Sequence, residues 1–129
     1  MNKITLALVI TKPGHLRNGL QSLLRTIPQI EITAESHDPS VLLKMSGEIH
    51  PELILLDAGL LAEMDWSAIS NLKTEWPETT ILILTETEKQ NQSAKEAGAD
   101  FTLPKGFRAA ELVDLIENLL ISNERDEIK

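Results

Sequence analysis

The stretch Pro51-Glu52-Leu53-Ile54-Leu55-Leu56-Asp57 carries an unbroken apolar run closed by a carboxylate. A strand covered on both faces of a parallel sheet reads this way, because neither face meets water and the apolar-polar alternation of a half-exposed strand is lost. The runs Ile4–Ile10 and Ile81–Leu84 have the same character and predict two more buried strands. Ile30-Glu31-Ile32-Thr33-Ala34-Glu35 instead alternates, as a half-exposed edge strand should. A fifth short strand is expected around Phe101–Leu103, after Gly98.

Helical periods lie between these runs. Leu16, Leu20, Leu23, Leu24 and Ile27 recur at spacings of three and four, which places one stripe against the sheet. Asp38-Pro39 reads as a helix start leading into Val41, Leu42, Met45 and Ile49. Trp66, Ile69, Leu72 and Trp76 form a third stripe, ended by Pro77. Lys89–Ala97 is short and polar with Gly98 as its stop, and its weak apolar face predicts a loosely held helix. Leu112, Leu115, Ile116, Leu119 and Leu120 make a fifth helix amphipathic, with Ser122–Lys129 expected as a frayed end or the start of a linker.

Five strands alternating with five helices predict a doubly wound α/β fold, because parallel neighbours need crossovers and the crossovers coat both faces. Ligands in such sheets sit outside the carboxyl ends of the strands. The residues to inspect there are Thr11 and Lys12, Asp57, Thr85, and Pro104 with Lys105.

Composition narrows the function. A chain of 129 residues with 42% hydrophobic content fits one domain, read as residues 1–121 with 122–129 as polar tail. With no cysteine it has no disulfides, thiolate metal sites or thiol nucleophiles. The apolar stretch near the N-terminus is too short for a signal peptide or a membrane span, so a cytoplasmic protein without membrane contact is expected. Twelve basic residues stand scattered against twenty acidic ones, a net charge of -8, which argues against direct nucleic-acid binding. His15, His37 and His50 are too dispersed for a metal cluster, and there is no glycine-rich phosphate loop, dinucleotide fingerprint or Ser/His/Asp set.

The blocks Pro51–Asp57, Ile81–Thr85 and Ala97-Gly98-Ala99-Asp100 running to Lys105, in this order and spacing, resemble those of response-regulator receiver domains of the CheY-like type. Arg17, Gly19-Leu20, Leu23-Leu24, Pro28 and Ile30-Glu31 further resemble the subfamily that carries a C-terminal helix-turn-helix effector. The resemblance implies a flavodoxin-like sheet of order 2-1-3-4-5. It also implies a phospho-acceptor at Asp57, a phosphoryl-oxygen partner at Thr85 and a pairing cation at Lys105. That chemistry is coherent, since transfer to a carboxylate needs positive charge to neutralise the phosphoryl oxygens. Each residue also has a plainer reading: Asp57 as the cap of a following turn, Thr85 as a strand-end hydroxyl, Lys105 as a solvated surface lysine.

The departures from the family pattern are informative. Receivers end their first strand with two acidic residues that hold Mg²⁺ with the acceptor aspartate and a backbone carbonyl, here that of Gly59. At the positions of that pair this chain has Thr11-Lys12, and neither supplies a carboxylate to a hard cation. Magnesium binding is therefore expected to be weak or absent, with no other cofactor. Asp57, Lys12 and Lys105 together would leave the site one positive charge in excess, which an inward Glu86 would cancel; Glu86 pointing to solvent from its loop is an equally good reading. Lys12 has two readings, extension into the metal position to pair with Asp57, or outward; the inward one is slightly preferred. Thr102 stands where the family keeps a swinging aromatic ring, Pro104 precedes the lysine rather than following it, and the segment from Ala58 to Asp65 is one residue longer than the pattern.

The reading that follows is a pseudo-receiver, not an enzyme: a two-component signalling module acting through protein contacts, with phosphorylation at Asp57 lost or metal-independent. Its partners would be a histidine kinase, an effector domain or a second copy, through the fourth helix, fifth strand and fifth helix. Two alternatives stay open. One is a working phospho-acceptor that controls transcription through an effector domain; the other is a small-molecule-binding or enzymatic domain on the same fold.

Overall fold

The computed structural model describes residues 5–36, 51–61 and 66–128. Strands β1 (Thr5–Ile10), β2 (Ile30–Ser36), β3 (Leu53–Asp57), β4 (Thr80–Thr85) and β5 (Phe101–Pro104) form one sheet of order β2-β1-β3-β4-β5. Every neighbouring pair is parallel. Among the described residues the helices are α1 (His15–Arg25), α2 (Ser67–Glu75), α3 (Glu88–Ala97) and α4 (Ala109–Ile128), with a 3-10 turn at Ala58–Leu61. The helix expected after Asp38-Pro39 lies outside the described residues, so the fourth and fifth helices of the sequence are α3 and α4.

Alternation along each strand builds two cores. Leu8, Ile10, Ile54, Leu56, Ile81 and Ile83 point to the side covered by Ile69 and Leu72 of α2 and Ala94 and Ala97 of α3. Val9, Leu53, Leu55, Leu82 and Leu84 point to the other, against Leu20 and Leu24 of α1 and Leu112 and Ile116 of α4. All five side chains of β3 are buried, which is why its sequence shows no alternation.

Trp66 and Trp76 flank α2 as its caps and pack against the first core. Helix α3 buries only alanines, so its apolar hold is small, as its composition predicted. Its ends are well made: the Thr87 hydroxyl accepts from Gln90 N, and Gly98 closes the helix at φ 105°, a conformation L side chains rarely adopt. The tail expected to fray from Ser122 instead continues α4 to Ile128.

Candidate functional site

The carboxyl ends of β1, β3, β4 and β5 lie together because the strands are parallel and adjacent, and the site residues follow from that. Asp57 pairs in register with Leu84, and Thr85 with Pro104. The Lys105 amide donates to Thr85 O at 2.9 Å, extending the ladder by one residue and lifting the lysine side chain over the strand ends.

Lys105 Nζ lies 2.8 Å from Asp57 Oδ1, with Asp57 at 8% side-chain exposure. Gly59 N donates to the same oxygen at 2.8 Å. A carboxylate so deeply placed is costly unless its lone pairs meet donors, and these two contacts supply them. The second is eased by the absence of a side chain at residue 59: a Cβ there would stand 3.2 Å from Asp57 Oδ1 and 3.4 Å from Lys105 Nζ, close enough that Asp57 would have to give slightly. Gly59 therefore lies beside Asp57 and Lys105 in the candidate site.

Glu86 points inward far enough to reach the same cation, with Oε1 2.8 Å from Lys105 Nζ. Burial alone would lower the lysine's pKa, but hydrogen bonds to Asp57 and Glu86 and the pull of their charges outweigh it and leave the pKa raised.

The preferred inward pairing of Lys12 is not observed. Lys12 is exposed, and among the described residues Lys105 is the cation on Asp57. The charge balance expected for the site reverses as a result. In place of two lysines against one carboxylate, one lysine is shared by two carboxylates, leaving one negative charge in excess.

At the other acidic-pair position Thr11 is fully buried, and Arg17 of α1 holds it: Nε donates to Thr11 Oγ1 at 3.3 Å and Nη2 to the Thr11 carbonyl. Arg17 entered the sequence reading only through the subfamily resemblance. Its spacing of six residues from Thr11, one loop and a first helical turn away, is the signal that could have placed it here.

Thr85 is buried and lines an open groove of about 330 Å³ between α3 and β5. Thr102, at the ring position, lines the same groove and donates to Asn91 Oδ1 of α3 at 2.6 Å. Where the family keeps a movable ring, this chain has a short side chain tied to the neighbouring helix. Nothing in the sequence marked Asn91.

The donor set does not fit a magnesium ion. Mg²⁺ requires hard oxygen ligands in near-octahedral array, whereas one oxygen of Asp57 is engaged by two donors, Thr11 is engaged by Arg17, and Lys12 brings no oxygen. Among the described residues no three His, Cys, Asp or Glu side chains gather as a metal cluster.

The family model described as response regulator receiver domain matches residues 8–117. The chain belongs to this family. The receiver is 30% identical over 104 residues to the response regulator protein VraR of Staphylococcus aureus, covering 78% of this chain and 49% of the relative. It thus spans about half the length of the curated relatives it matches. Its fold matches the signal receiver domain of the putative response regulator NarL from Mycobacterium tuberculosis, with TM-score 0.76 and 18% identity over 92% of this receiver and 97% of that chain. A LuxR-family two-component response regulator from Aurantimonas sp. gives TM-score 0.77 and 24% identity over 93% and 87% of the two chains. Among the described residues no helix of the receiver is long and apolar enough to cross a membrane.

Proposed function

We propose that this receiver is a pseudo-receiver: a cytoplasmic two-component signalling module that acts through protein contacts, with phosphoryl transfer to Asp57 lost or independent of metal. The observation that carries the reading is the state of the acidic-pair positions, where Thr11 is held by Arg17 and Lys12 faces solvent. Transfer to Asp57 would have to proceed without the metal charge that normally offsets the phosphoryl oxygens. Thr102, tied to Asn91, supports the same reading on the output side, since no ring is available to change position.

In this reading the contact surface is α3, β5 and α4. The acidic residues Glu111, Asp114 and Glu117 on α4 are exposed and give that face a charge a partner can recognise. The partner is a histidine kinase, a second copy, or an effector domain of the kind a longer response regulator would contain.

A second reading has its own support. Asp57, Thr85 and Lys105 converge at the strand ends with Lys105 on the carboxylate, so the residues matching the acceptor and its cation are in place. Intact mass after incubation with acetyl phosphate, with and without Mg²⁺, separates the two. The pseudo-receiver stays unmodified or is modified to the same extent with and without Mg²⁺, whereas a phosphorylated fraction that requires Mg²⁺ and is absent from Asp57→Ala establishes the working receiver.

A further inference from the structure

Glu86 follows Thr85 at the end of β4, and its side chain is 60% exposed. A glutamate so placed gains little from pairing in water, yet its Oε1 sits 2.8 Å from Lys105 Nζ. Its backbone is aligned from α3: Gln90 Oε1 accepts from Glu86 N at 2.7 Å, and Gln90 is anchored in turn by its own amide on Thr87 Oγ1 at 3.1 Å. The first turn of α3 thus fixes residue 86 at a point from which its carboxylate reaches over the strand ends.

An ammonium has three N–H donors, and Lys105 directs one at Asp57 and one at Glu86. An oxyanion approaching Asp57 therefore meets a cation already shared between two carboxylates. The Thr85 hydroxyl, in the lining of the groove, is the neutral donor it would find.

We infer that Glu86 is a built-in counter-anion that holds the Lys105 ammonium and excludes phosphate-like oxyanions from the Asp57 site. Glu86 is a positioning residue that acts through Lys105 and sets which charge the site accepts. The inference rests on the pseudo-receiver reading and adds a second cause for it, separate from the altered acidic pair. Removing one like charge some 5–6 Å from an anion in a partly exposed site strengthens its binding by about tenfold.

The test is a titration with inorganic phosphate at constant ionic strength, followed through the amide NMR signals of Gly59, Thr85 and Lys105. Wild type is compared with Glu86→Gln and, as a control of equal charge on the same rim, Glu88→Gln. Glu86→Gln should bind about tenfold more tightly than wild type and Glu88→Gln within about twofold of it, with the gain abolished in a Lys105→Met background. Equal affinity of Glu86→Gln and wild type, no detectable binding to Glu86→Gln, an equal gain in Glu88→Gln, or a gain that survives Lys105→Met each overturns the inference. Mg²⁺-dependent modification of the wild type by acetyl phosphate would instead overturn the pseudo-receiver reading, while the ratio between Glu86→Gln and wild type still decides the role of Glu86.

Discussion

Lys105 Nζ and Asp57 Oδ1 stand 2.8 Å apart across the ends of β3 and β5, with the aspartate side chain at 8% exposure and the lysine side chain at 24%. The pair joins two strands that are not neighbours in the sheet, since β4 lies between them. It closes the top of the domain as well as setting the charge of the site.

Removing the cation should therefore cost more than an exposed ion pair would. Lys105→Met leaves Asp57 with Gly59 N as its remaining described donor, and an under-satisfied buried polar group costs about 1–3 kcal/mol, more when it is charged. Asp57→Asn, which discharges the buried group, should cost less. Urea unfolding at neutral pH measures both, and equal midpoints for Lys105→Met and wild type would show that the pair contributes nothing to stability.

The pH dependence has a definite sign. Lys105 gains partners on folding and its pKa is raised above the usual lysine value. Its contribution is fully present below the unfolded lysine value and is lost as pH rises through the higher folded one. Stability from this group should be flat through neutral pH and fall only in strongly alkaline solution. Unfolding free energies should differ between wild type and Lys105→Met through neutral pH and converge in that alkaline window.

The tie between β5 and α3 is open to a conservative change. Thr102→Val keeps the shape and removes the hydroxyl that donates to Asn91 Oδ1 at 2.6 Å, which should cost about 1 kcal/mol. Because α3 buries only alanines, the loss should appear locally, as faster amide hydrogen exchange in α3 than in α2. Uniform exchange across both helices would show that Thr102 does not anchor α3.

Metal affinity should follow the donor set. Wild type is expected to show no saturable Mg²⁺ binding at millimolar concentrations by calorimetry. Lys12→Asp with Thr11→Asp should create measurable affinity by restoring carboxylates. Arg17 lies against position 11 and would pair with a carboxylate there, so adding Arg17→Ala should strengthen binding further. If the double variant gains nothing and the triple variant nothing more, the loop geometry rather than the ligand set decides the matter.

The sequence by itself determined the sheet. Three apolar runs, one alternating strand and a short fifth one can bury their side chains only with helices on both faces, and the order β2-β1-β3-β4-β5 agrees with the family the motif blocks resemble. It also brought Asp57, Thr85 and Lys105 to one edge, because parallel strands end on the same side. Long-range side-chain contacts were decided by the tertiary structure alone. Whether Lys12 or Glu86 reached the site was open in the sequence, since long charged side chains at loop positions can turn toward a partner or toward water at similar free energy. The reach of Glu86 depends on Gln90 and the cap of α3, and the burial of Thr11 on Arg17 from a different element. A periodic pattern records which face of an element is apolar, but not which of two lysines lies within hydrogen-bond distance of a carboxylate on another strand. That distance is set by the packing of all five strand ends at once.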